Sequence, residues 1–140
     1  MRSLEAIERE LDLEAPEQAR ADDAARLLRL AEEVLEAWLA ARGKVPAREQ
    51  REGFRLLALH HQGAEGVPSF NACRETCREI AYHYNLMTSG AGEHPARDLA
   101  MMGMLARHLV LFVGGKMQVE GLGEFCCASR PIREDRATMA

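Results

Sequence analysis

A chain of 140 residues sits near the commonest domain size, and with 47% apolar and 29% charged residues it has the composition of one compact globular unit spanning 1–140. A net charge of −4 with interleaved signs leaves no broad basic field to hold a phosphate backbone, which argues against nucleic acid as a partner. The longest apolar stretch, Leu99 to Val113, is broken by Arg107 and His108 and falls short of the about 20 residues that cross a bilayer, so no membrane contact is expected. The opening Met1-Arg2-Ser3-Leu4-Glu5 carries acid at once and lacks the apolar run of a secretory signal, which points to the cytoplasm. In that compartment the four cysteines are expected as thiols or metal ligands.

Taken in chain order, Leu4, Ile7 and Leu11 form a short helical stripe that Pro16 closes, a small N-terminal helix within 1–15. From Glu17 to Arg42 the residues Ala24, Leu27, Leu28, Ala31, Val34, Leu35 and Trp38 recur at three- and four-residue spacing, and Gly43 stands where a helix cap belongs. Pro46 suits the first turn of a third helix running through Phe54 and Leu57 to Gln62 and stopping at Gly63. Ser69 is placed to cap a fourth helix that reaches about Thr88, and Ser89-Gly90-Ala91-Gly92 reads as loop. Pro95 opens the fifth. There Leu109 to Val113 followed by Gly114-Gly115 also fits a hairpin, but the Leu, Met and Ala content of 98–107 favours a helix ending at Gly114. From Gly121 the glycines, Pro131 and the charged run Arg130 to Arg136 suggest an extended C-terminal tail, 121–140.

Short connections between helices favour antiparallel neighbours, so the expected fold is all-α: an up-and-down helical bundle of four main helices plus the short N-terminal helix and the tail. The fifth helix is apolar around most of its circumference and must be covered at the bundle centre or in a dimer interface.

The most distinctive stretch is Phe70 to Tyr84, where the tetrad Cys-Arg-Glu-x occurs twice and Phe70, Cys73, Cys77, Ile80, Tyr84 and Met87 share one helical face. Cysteines one turn apart can grip a soft ion, and a zinc or iron–sulfur centre needs further ligands. Here the candidates are His61, on the face of Phe54 and Leu57 and so expected near Cys73, and Cys126 or Cys127 if the tail folds back. Packing as small apolar side chains is the commoner use of such thiols, and the spacing matches no Cys-x-x-Cys knuckle. Arg74 and Arg78 could favour a reactive thiolate, although they leave the helix on another face.

Glu75, Glu79 and His83 form a polar stripe without the second Glu-x-x-His that a di-iron bundle requires. His108 reads as a hydrogen-bonded core residue, with haem ligation or base chemistry as the sharper alternative, and His60 as a favourable helix end. Met101, Met102, Met104 and Met117 fill a core or adapt to a partner, and Trp38 reads as core. No Gly-rich phosphate loop, Gly-x-Ser-x-Gly or His-Glu-x-x-His is present, and no catalytic residue is assigned.

Three readings follow. The first is a helical-bundle interaction or regulatory protein, homodimeric through the fifth helix and its methionines. The second is a metal-binding or thiol-redox bundle using Cys73 and Cys77 with His61 and Cys126 or Cys127. The third is an enzyme with an interhelical pocket and Glu79, His83 and Tyr84 as its acid–base groups.

Overall fold

The computed structural model describes residues 2–13 and 19–122. Among them the chain is all-α, an up-and-down bundle of four main helices carrying a short N-terminal one: α1 (Leu4–Leu11), α2 (Ala21–Ala41), α3 (Arg55–Ala64), α4 (Arg74–Ser89) and α5 (Pro95–Val119). A 3₁₀ helix, Pro68–Cys73, leads into α4. The expected tail, with Cys126 and Cys127, lies outside the described residues.

Three of the helix ends have a local cause. The Ser3 hydroxyl accepts the Ala6 N–H at 3.1 Å and starts α1. The Asp23 carboxylate accepts the Arg20 N–H at 3.0 Å at the start of α2. At the other end of α2 the Lys44 N–H reaches the Leu39 carbonyl at 2.9 Å and the Gly43 N–H that of Ala40 at 2.9 Å, the paired bonds of a Schellman motif with Gly43 left-handed.

The same motif recurs at Gly121, so α5 does not stop at Gly114 as the sequence suggested. Val113 and Met117 continue its buried stripe across the two glycines, and α1 lies against the helix there. Two interior glycines cost about 1 kcal/mol each in helix propensity, less than burying two such side chains yields.

The third helix is the clearest departure from expectation: it begins at Arg55, nine residues after Pro46. Arg51 and Phe54 exchange backbone hydrogen bonds at 2.9 and 3.0 Å around Glu52 (φ 54°) and Gly53 (φ 86°), which makes a tight two-residue turn of the I′ kind. The segment before it is held by side chains of α3. Gln62 bonds the Ala47 N–H (2.7 Å) and the Val45 carbonyl (2.8 Å), and Arg55 Nε bonds the Ala47 carbonyl (2.8 Å). These bonds satisfy backbone groups that a helix would otherwise pair.

Glutamate is a poor occupant of a left-handed position, and its ion pair with Arg78 (2.9 Å) joins two exposed side chains. Glu52→Asn should therefore raise stability by about 0.5–1 kcal/mol, read as a higher urea midpoint at unchanged slope. A lower midpoint would mean that the Arg78 pair outweighs the backbone strain.

α5 packs mainly on α4 and α2, and α1 closes over α2 and α5. Arg107 ties α1 down by bonding Asp12 (2.5 Å) and the Leu11 carbonyl (2.8 Å). The core centres on an aromatic stack. Trp38 of α2 lies parallel to Phe70 with centroids 4.7 Å apart, and its Nε1–H donates to the Gly63 carbonyl at 3.0 Å.

Candidate functional site

The cysteine pair is positioned by the junction between the 3₁₀ helix and α4. Cys73 ends the first and caps the second (φ −98°, ψ 9°), and Cys77 follows one turn into α4. Both are buried, with Phe70 and Ile80, as the shared helical face requires. The Cys73 thiol donates to the Phe70 carbonyl at 3.3 Å. The imidazole of His60, also buried, lies with Nε2 3.2 Å from the same oxygen. A carbonyl only accepts, so Nε2 carries the proton in that bond.

The neighbouring Cys77 thiol and, after it, the His60 imidazole hold the Cys73 pKa well below the ordinary thiol value, against the opposing effect of burial. Cys77 is pushed the opposite way by the Cys73 thiol and by burial. The pair thus divides into an acidic and a neutral member.

His61, expected beside Cys73, is instead exposed, and His60 occupies that place. The displacement by one residue has a simple origin. Phe54 belongs to the turn, so the buried stripe of α3 runs through Leu56, His60 and Gly63. Among the described residues no three His, Cys, Asp or Glu side chains are arranged to hold a metal ion. Cys73 and His60 meet at the Phe70 carbonyl with Cys77 one turn along α4, and the Cys126 and Cys127 contribution lies outside the described residues.

The acid–base candidates diverge. Glu79 is exposed, and Tyr84 packs edge-on against Phe54 (5.7 Å) at a cleft of about 340 Å³ that also takes in Glu32, Glu52 and Arg55. His83 turns to α5, where its Nδ1 lies 2.9 Å from Oδ1 of Asp98. Asp98, at 6% exposure, is the one buried carboxylate among the described residues. Sequence reasoning passed over it, although it stands in register with Met102, Leu105, Leu109 and Val113, a polar residue on an apolar stripe.

His108 is exposed, contrary to its reading as a core residue. Its neighbours on the outer side of α5 are apolar: Met104, Leu111 and Val119 are 55%, 64% and 75% exposed, with Ala100 and Gly115 also exposed in the same row. A Cβ placed on Gly103 or Gly115 would meet nothing within 4 Å. The described residues therefore give no steric reason for glycine at either position.

No family model, curated protein or solved structure matches this chain.

Proposed function

We propose that the chain is a small interaction protein that pairs with a second copy of itself through the outer ridge of α5. The supporting observation is that this ridge combines exposed Met104, Leu111 and Val119 with Gly115, an exposed glycine that nothing among the described residues crowds. Glycine in a helix interior costs about 1 kcal/mol against alanine. That cost is sensible where another backbone comes in close. Pro95–Val119 is 25 residues, roughly 37 Å of helix at 1.5 Å per residue, long enough for two copies to lie side by side.

The charged residues of α5 that are not buried, Arg97, Lys116 and the Asp12-paired Arg107, include no acid, so two ridges brought together repel at low salt. Self-association should consequently strengthen as salt is added. Leu111→Lys adds another like charge at an exposed site and should give a monomer in sedimentation velocity with helicity unchanged by circular dichroism. Gly115→Ala makes the sharper variant. It should stabilise the monomer by about 1 kcal/mol while weakening the dimer, opposite signs that a purely internal role cannot produce. A parent protein that stays monomeric at its highest soluble concentration removes the proposal.

A further inference from the structure

We infer that Cys73 and Cys77 form a hydroperoxide-responsive dithiol, in which Cys73 is the sulfur attacked and Cys77 the one that resolves it to a disulfide, with the Phe70–Trp38 stack as its internal reporter. The inference is independent of the α5 ridge.

The two thiols differ in cover. Cys77 is enclosed inside α4, whereas Cys73 sits at the start of that helix beneath one 3₁₀ helix whose Pro68, Ser69, Asn71 and Ala72 are all exposed. A 3₁₀ helix has poorer hydrogen bonds than an α-helix and opens more readily. Opening it uncovers Cys73 first. Cys73 also stands one turn from Cys77 on the same buried face and shares the Phe70 carbonyl with the imidazole of His60, so it has a resolving thiol and a polar ring beside it. Access through that opening sets the rate, and the cluster sets the chemistry.

In the first step the Cys73 thiolate attacks one oxygen of the hydroperoxide and the O–O bond breaks. The departing oxygen takes a proton and leaves as alcohol or water, and Cys73 becomes a sulfenic acid. In the second step the Cys77 sulfur attacks the Cys73 sulfur, the S–O bond breaks, and the hydroxide leaves as water with the Cys77 proton. Two thiols lose two electrons, and the peroxide gains them.

Residues four apart on an α-helix have Cα atoms about 6 Å apart, inside the range a disulfide spans, but their Cβ atoms must close to about 4 Å. The first turn of α4 has to tighten. Cys73 is the hinge for this, since its φ of −98° and ψ of 9° depart from both helix types. Its movement pulls on the Phe70 carbonyl that both the thiol and His60 hold, and so on the ring stacked over Trp38, the chain's single tryptophan.

The test uses the full chain with Cys126→Ser and Cys127→Ser, so that two thiols remain. Hydrogen peroxide should remove two hydrogens from the peptide that carries both cysteines and shift the Trp38 emission, and dithiothreitol should reverse both. Cys77→Ala should stop at a sulfenic acid on Cys73 that dimedone captures. The parent's mass change is read without relying on that variant. An unchanged mass and emission, with thiols that titrate only after denaturation, overturns the inference. So does a Cys73→Ala chain that accumulates sulfenic acid at Cys77.

Discussion

Replacing His83 by alanine should lower the stability of the fold by about 3 kcal/mol, seen as a fall in the urea midpoint. Asp98 is buried at the start of α5, and its Oδ1 has His83 Nδ1 as its side-chain partner at 2.9 Å. Its other oxygen is hemmed in by the loop. A Cβ on Gly92 would come within 2.7 Å of Oδ2, so the chain passes directly over the carboxylate and keeps water from filling in. Without the imidazole, the charge is left in a low-dielectric site with the positive end of α5 as partial compensation. Pairs of this kind are costly to break and cheap to replace whole. His83→Leu combined with Asp98→Leu should accordingly recover most of the loss. The coupling from the double-mutant cycle should exceed about 1 kcal/mol. A His83→Ala variant as stable as the parent would show that solvent reaches Asp98 freely.

How much of this molecule is legible in its sequence depends on which interactions set each element. The periodic stripe of α2 and the glycine at its end are local signals, and the helix, Ala21–Ala41, carries that stripe and ends where the glycine places it, although it starts later than Glu17. The shared face of Phe70, Cys73, Cys77 and Ile80 is equally local, and all four are buried. The start of α3 is not. Side chains of Gln62 and Arg55 reach back over eight or more residues to hold the segment before it, a tertiary effect that overrides the preference of Pro46 for a first turn.

That error carries into the candidate site, since a helix that starts nine residues late turns a different face inward and exchanges His61 for His60. The continuation of α5 past Gly114 is likewise a packing result, because local propensity alone ends the helix there. Asp98 escaped notice for a different reason. Its partner lies across a loop, and no spacing rule within one helix connects it to His83.

Gly63→Ala provides the second large effect, and its sign is the informative part. In an open helix the change to alanine gains about 1 kcal/mol. Gly63 is where α3 crosses the aromatic stack. A Cβ there would stand 3.0 Å from Cδ1 of Trp38 and 3.0 Å from Cε2 of Phe70, with Nε1 of Trp38 at 3.2 Å. Neither ring has an easy retreat. Trp38 is tethered by its hydrogen bond to the carbonyl of Gly63 itself, and Phe70 is flanked by His60 at 5.6 Å and Phe112 at 5.7 Å. Overpacking a core of this density costs about 1–3 kcal/mol. Set against the helix gain, that leaves a net loss of up to about 2 kcal/mol, together with a change in Trp38 emission. Phe70→Leu makes room beside the new methyl group, so it should cost less in the Gly63→Ala background than in the parent. If Gly63→Ala instead stabilises the protein, α3 does not approach the stack as closely as these distances require, and the position of His60 beside Cys73 would have to be reconsidered with it.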